Sequence, residues 1–346
     1  MAHTLTAFAD AVVPAPWQEF CVHPNPEATA MAQNAEHHYQ KATVIGGGVI
    51  GASWTALFLA RGLAVTVCDP APGIEQRIRA ELAAIAPNLE QLGLPDVSSS
   101  SMPLHFDPQI ATAVAGADIV QENGPERLEI KQQMWQAVES GAPADAIFAS
   151  SSSSIPASAM ASGMKDPGRL IIGHPFNPPH LVPLVEIVAA SDTPADVVDR
   201  AVAFYRAMGK RPQVLAKEIP GFVANRLQAA LFREAVYLVA QGVVSEQQLD
   251  DVVTSSIGMR WAVGGPFQSF HLGGGPGGLP DFIRHLGPAL EALWKTLGTA
   301  TFDGATVAML TTQSANFGGS VDELAARRDD AELRLLRALD EVPAGA

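Results

Sequence analysis

Basic residues are scarce in this chain of 346 residues: 22 Lys and Arg stand against 36 Asp and Glu, a formal net charge of −14. Nucleic acids and anionic membranes are gripped through concentrated basic surfaces, so neither is an expected partner. Cysteine is scarcer still. Cys21 and Cys68 form no C-x-x-C pair, no zinc cluster and no disulfide framework, so no metal site is expected and both are read as reduced thiols of a cytoplasmic protein. The first 40 residues hold no Lys or Arg, which argues against a secretory leader and an Arg-rich transit peptide. An uninterrupted apolar span is also missing, because the uncharged stretch 42–60 is broken by Gly46, Gly47, Gly48 and Gly51. With 47% hydrophobic and 17% charged residues, the chain has the composition of a soluble globular protein with a sizeable core.

What is present is an alternation of short apolar strands and helices. Residues 1–40, with Pro14, Pro16, Pro24 and Pro26 and little periodicity, are expected to form an irregular extension. From Lys41 the pattern predicts strands at 42–45, 64–68, 118–121, 146–149, 170–172 and 184–188. Helices are predicted at 49–61, 73–92, 126–140 and 195–208. Strands alternating with helices imply a mostly parallel sheet covered on both faces. After about Glu218 the strand signals stop. Leu227, Leu231, Ala235 and Leu238 recur at helical spacing, a Gly/Pro-rich stretch at 264–280 is predicted to be a loop, and the mixed charges of 322–341 suit the solvated face of a helix. The expected organisation is therefore an α/β domain over 41–218 followed by an all-α C-terminal domain over 219–346.

Gly46-Gly47-Gly48-Val49-Ile50-Gly51 matches G-x-G-x-x-G directly after the first strand and opens the first helix. The second strand ends in Asp69, which completes the context of a dinucleotide-binding fingerprint and makes the first domain Rossmann-type. Gly46 permits the tight turn, Gly48 lets the backbone approach a pyrophosphate, and Gly51 allows close helix–strand packing. Val49 and Ile50 begin the helix whose free N–H groups face that diphosphate. Asp69 is the expected acceptor for the adenosine ribose hydroxyls. Its charge opposes a 2′-phosphate and Pro70 follows in place of an arginine, so NAD is expected over NADP.

Among nine histidines, His174 stands out. It follows an apolar strand, opens His-Pro-Phe-Asn-Pro-Pro, and precedes a second strand carrying Glu186 in Leu-Val-Glu-Ile. A carboxylate beside an imidazole fixes its tautomer and stabilises the imidazolium formed when the ring takes a proton; spacing alone leaves a packed structural histidine equally open. The glycine motif, Asp69, Gln121–Glu126, the serine run Ser150–Ser154, His174-Pro-Phe-Asn-Pro, Leu-Val-Glu186, Pro220–Arg226 and Gly265-Pro266-Phe267 together resemble the 3-hydroxyacyl-CoA dehydrogenase superfamily, in order, from residue 41 to about 290. The resemblance implies an NAD-dependent β-hydroxy dehydrogenase, with a helical C-terminal domain that pairs as a homodimer. Carried over by position, it implies His174 as catalytic base with Glu186 as its partner, Ser153 and Asn225 as holders of the substrate's C3 oxygen, Asn177 near the base, and Glu126 among the cofactor-binding residues.

Departures from the acyl-CoA pattern narrow the resemblance. The serine run is unbroken, Pro183-Leu184 stands in place of a lysine commonly found just before Leu-Val-Glu, and no lysine occurs between Lys41 and Lys131 to meet a CoA phosphate, although Arg77 and Arg79 could compensate. With Met259-Arg260-Trp261, these features are more similar to the branch containing λ-crystallin, L-gulonate 3-dehydrogenase and L-carnitine 3-dehydrogenase. In that reading Arg260 is a candidate clamp for a substrate carboxylate. Trp261, with Phe267 and Phe270, is a candidate wall for a small 3-hydroxy or 3-keto substrate, or a cage for a quaternary ammonium. A CoA thioester, a larger polyketide-like β-keto substrate, and a structural crystallin-type role with NAD bound stay open at this level. The joint presence of His174, Glu186, Ser153 and Asn225 speaks against the last.

Overall fold

A computed structural model describes residues 39–340, so Cys21 and all but the last two residues of the expected extension lie outside the described residues. Strand β1 (Lys41–Ile45) leads through the glycine loop into α1 (Val49–Ala60), and β2 (Ala64–Cys68) leads into α2 (Ile74–Gln91). After β3 (Leu104–Phe106) and the short α3 (Ile110–Ala113) come β4 (Ile119–Glu122), α4 (Leu128–Gly141), β5 (Ile147–Ser150) and the single turn α5 (Ala157–Met160). The sheet finishes with β6 (Leu170–Pro175), β7 (Leu184–Ala189), α6 (Ala195–Ala207) and β8 (Arg211–Leu215). Its order is β3-β2-β1-β4-β5-β6-β7-β8. Neighbours run parallel except β6 and β7, so β7 and β8 oppose the other six strands.

Helices on both faces leave the central strands buried from end to end, which is why they read as continuous apolar runs. Helix α1 is enclosed on nearly every side: Trp54 stacks on Phe58 with centroids 5.2 Å apart and lies 5.8 Å from Tyr205. Strands β3 and β8 were not predicted. β3 buries a single residue and β8 contains Pro212 and a mostly exposed face, as suits the two edges of a sheet, where little apolar signal is needed.

Beyond β8 the described chain is helical: α7 (Ala224–Ala240), α8 (Glu246–Thr254), α9 (Ile257–Val263), α10 (Pro266–Gly273), α11 (Gly278–Trp294), α12 (Gly304–Ser314) and α13 (Val321–Asp340). The stretch 264–280 is thus not the predicted loop. Pro266 occupies the first turn of α10 and Pro280 that of α11, where a missing N–H breaks no helical bond. Nor is α13 simply solvated. Leu333 is fully buried, Asp329 accepts a 3.2 Å hydrogen bond from Asn88 and the Arg337 guanidinium donates to the Gln91 carbonyl at 2.6 Å, so the helix packs across α2.

The loop joining β6 to β7 is fastened from beneath. Ser53 on α1 accepts from the His180 backbone N–H at 2.9 Å, and its hydroxyl lies 2.8 Å from His180 Nδ1. The buried Lys210 ammonium donates to the carbonyls of Pro179 and Val182 and stands over the Trp54 ring. Burial pushes the His180 pKa down to about 4 from an ordinary 6.5; Lys210 and Arg328 act in the same direction, against Asp329. Between those two values the unfolded chain binds a proton that the folded chain refuses. Stability is therefore full above pH 6.5 and lost as pH falls toward 4, by about 3 kcal/mol. Urea unfolding across that window is expected to show the loss, and His180→Gln to flatten it.

Candidate active site

The order of the sheet reverses between β1 and β4, and the crevice outside their carboxyl ends is where such folds take a ligand. The glycine loop enters it. Gly46 has φ +84°, and a Cβ there would lie 2.7 Å from the Asn123 carbonyl oxygen; at Gly51 it would lie 1.9 Å from the Gly46 oxygen. At Gly48, by contrast, a Cβ would meet nothing within 4 Å. Helix α1 has no side-chain cap and no acid in its first turn, so its free first-turn N–H groups place a partial positive charge at an end where Gly48 and Val49 are exposed. The residues fit a dinucleotide pyrophosphate. Asp69 lies at the end of β2, with Oδ2 accepting from Gly47 N–H and Oδ1 from Ala71 N–H, both at 2.8 Å. Each oxygen retains a lone pair for a ribose hydroxyl.

Beside the loop runs a buried ionic network. Lys131 on α4 places its ammonium 2.8 Å from both oxygens of Glu122, the last residue of β4, and 3.4 Å from Glu126 Oε2. Ser150 donates to Glu122 at 2.5 Å. Glu126 gathers the serine run: Ser152 Oγ donates to its Oε1 at 2.6 Å, Ser154 Oγ at 2.9 Å, and the backbone N–H groups of Ser153 and Ser154 at 3.2 and 3.1 Å. Burial pushes the Glu126 pKa up, but the Ser152 and Ser154 hydroxyls, the Lys131 charge and the Ser154 N–H together hold it below the usual carboxylate range. Ser153, the predicted oxygen holder, is exposed in this loop with its N–H tied to Glu126, the predicted cofactor residue. Ser151 instead bonds to Asn123, Gln121 and Trp54.

His174 and Glu186 are brought together as spacing suggested. They are cross-strand partners in the antiparallel β6–β7 pair, and His174 Nδ1 donates to Glu186 Oε2 at 2.8 Å. The other Glu186 oxygen accepts from the N–H groups of Val223 and Ala224 at 3.0 and 2.9 Å. Burial would raise the Glu186 pKa, yet the bonds from His174, Ala224 and Val223 hold it below the ordinary carboxylate range. With Nδ1 committed, Nε2 is the ring nitrogen that can exchange a proton with a ligand. Phe176 and Phe222 pack on the ring, each at 5.3 Å.

The turn before α7 makes the arrangement possible. Gly221 and Phe222 take φ +74° and +50°, a left-handed pair that aims the following N–H groups at Glu186. Asn225 comes next, in the first turn of α7, and with Pro220, Gly221, Arg226, Ala229 and Arg233 it lines a cleft of about 510 Å³. Arg260 and Trp261 are exposed on α9, and no described contact joins them to His174. Sequence reading did not find Lys131, which looks like an ordinary solvated helix residue, or Arg233, and it met Arg226 only as the end of the Pro220–Arg226 motif, without a role.

The 3-hydroxyacyl-CoA dehydrogenase NAD-binding domain matches residues 41–219, and the C-terminal domain of the same enzymes matches residues 221–301. The chain belongs to this family. It is 41% identical over 314 residues to an L-carnitine dehydrogenase of Streptomyces griseus subsp. griseus, covering 90% of this chain and 93% of that one. It is also 43% identical over 302 residues to a 3-hydroxyacyl-CoA dehydrogenase of Gibberella moniliformis, covering 85% and 93%. Among solved structures, an NAD+-dependent dismutase described as 5-formyl-3-hydroxy-2-methylpyridine 4-carboxylic acid 5-dehydrogenase superposes with a TM-score of 0.72 at 30% identity, covering 87% of this chain and 99% of that one. The protein is accordingly an NAD-dependent 3-hydroxy dehydrogenase with a Rossmann-type sheet followed by helices. Among the described residues, no helix is long and apolar enough to cross a membrane.

Glu122 and Lys131 are both almost wholly buried. Lys131→Met would leave a buried carboxylate without its counter-charge, at an expected cost of about 3–5 kcal/mol in urea unfolding. Adding Glu122→Gln is expected to recover much of that loss.

Proposed function

We propose that the protein oxidises the C3 hydroxyl of a small free 3-hydroxy acid, with L-carnitine the leading candidate. The observation that carries the catalytic part is the His174–Glu186 hydrogen bond, anchored on the first N–H groups of α7. His174 Nε2 takes the hydroxyl proton, and the neighbouring carboxylate stabilises the imidazolium so formed. Ser153 and Asn225 donate to the C3 oxygen as it becomes a carbonyl. NAD, bound at the glycine loop, supplies the acceptor for the hydride that leaves C3.

Substrate choice is supported by several L-carnitine dehydrogenases at about this level of identity. Electrostatics agrees with a carboxylate-bearing substrate: Arg226 and Arg233 line the cleft beside Asn225, Arg260 is proposed as the carboxylate clamp, and Trp261 is proposed for the quaternary ammonium. A CoA phosphate has fewer partners, since Arg79 is paired with Glu75 at 2.9 Å and no lysine lies between Lys41 and Lys131. The acyl-CoA reading keeps support from the Gibberella moniliformis relative.

In this scheme residues 41–218 hold the dinucleotide, while 219–346 shape the substrate cleft and pair with a second copy. Leu227, Phe232, Phe267 and Leu272 are 61%, 55%, 78% and 72% exposed, and apolar surface on that scale calls for cover. The proposed compartment is the cytoplasm, in keeping with the free Cys68 thiol, whose pKa burial and the nearby Asp107 and Asp69 raise to about 11.

NADH formation from L-carnitine, L-gulonate and 3-hydroxybutyryl-CoA, compared side by side, tests the assignment; L-carnitine is expected to give the highest kcat/KM. His174→Ala is expected to lower kcat by roughly 10³-fold, and Glu186→Gln by about 10²-fold, with KM little changed. Equal rates for wild type and His174→Ala would overturn the role of the imidazole. Light scattering of the purified protein is expected to give the mass of a dimer, and a monomer would remove the pairing.

A further inference from the structure

We propose that Arg77 is a specificity-determining residue of the dinucleotide site, and that Asp69 alone keeps this arginine from accepting a 2′-phosphate. The proposal rests on the glycine loop binding NAD. Sequence reading looked for an arginine immediately after the β2 acid and found Pro70. The fold supplies one from elsewhere. Arg77 lies in the second turn of α2, and its guanidinium reaches back to the β2 terminus: Nη2 stands 3.8 Å from Asp69 Oδ2 and donates to the Gly47 carbonyl at 3.3 Å. The side chain is half exposed while Asp69 is nearly covered, so the charge rests on the open side of the carboxylate.

The neighbouring groups isolate this role. Arg79 is committed to Glu75 through Nε at 3.0 Å and Nη2 at 2.9 Å, and lies over the Phe106 ring. Asp69 is held by Gly47 N–H and Ala71 N–H, independently of Arg77. Among the described residues, Arg77 makes one hydrogen bond to the loop and a longer ion pair with Asp69, which leaves the rest of a five-donor fork for a ligand. With Asp69 in place, the guanidinium offsets its charge and steadies the Gly47 carbonyl, while the carboxylate meets the 2′-hydroxyl. Without that carboxylate, the same guanidinium faces the 2′ position uncompensated, as phosphate recognition requires.

Equilibrium titration with NADH and with NADPH, read by nucleotide fluorescence, tests this without turnover. The proteins are wild type, Asp69→Ser, Arg77→Gln and the double variant; the serine hydroxyl keeps an acceptor for the Gly47 N–H. Wild type is expected to favour NADH by at least about 10²-fold, and Asp69→Ser to favour NADPH. Adding Arg77→Gln to Asp69→Ser is expected to weaken NADPH by about 10- to 100-fold while changing NADH by only a few-fold. Equal NADPH affinity in Asp69→Ser with and without Arg77 would overturn the proposal while leaving the NAD site intact. A wild type that binds neither nucleotide would remove the site itself. Should Asp69→Ser melt early, Asp69→Asn, which keeps shape and one acceptor oxygen, gives the same comparison.

Discussion

One carboxylate joins the chemistry to the architecture. Glu186 spends one oxygen on His174 across the β6–β7 pair and the other on the N–H groups of Val223 and Ala224. Its charge is thereby compensated from two directions, by an imidazole on one strand and by the positive end of a helix. Because that helix also carries Asn225, the contact that orients the imidazole also fixes where the cleft lined by Asn225, Arg226 and Arg233 begins. Burial of an acid is ordinarily costly, and here three donors offset it.

The second organising element is the ionic network under the serine loop. Lys131 is nearly inaccessible, and its carboxylate partners among the described residues are Glu122, at the end of β4, and Glu126, at the head of the next turn. Through Glu126 the network reaches Ser152, Ser153 and Ser154, so the exposed loop rests on buried charge. On the other side, Tyr205 donates to Gln121 at 2.6 Å, and Gln121 bonds to Ser151 and to the Gly173 carbonyl next to His174. Neighbouring serines that look interchangeable in sequence therefore have separate hydrogen-bonding duties.

The nucleotide half was legible because its physics is local. A glycine that must take positive φ, a helix that must open on an uncapped end, and an acid closing the next strand all leave marks within 24 residues, from Gly46 to Asp69. The His174–Glu186 pair was legible as a possibility from strand spacing, but its hydrogen bond depends on β7 reversing direction, which no residue pattern announces. Lys131 escaped because a buried lysine and a solvated one look alike in a helical repeat. The helix at 266–273 escaped because glycine and proline mark turns on average, whereas Pro266 here sits where a helix begins. Arg77 was read in the sequence only as a possible partner for a CoA phosphate, because its approach to Asp69 is made across a turn in space rather than along the chain.

The reversal at β6–β7 also governs how this part of the molecule can vary. Imidazole and carboxylate face one another only in the register that pairs His174 with Glu186. Gaining or losing a single residue within either strand would turn one of the two side chains to the opposite side of the sheet. The intervening connection carries its own anchors, with Ser53 holding His180 from below and Lys210 holding the carbonyls of Pro179 and Val182. Length changes are therefore unwelcome in the connection as well. Descendants of this scaffold should diversify along the cleft wall formed by α7 and leave the hairpin at constant length.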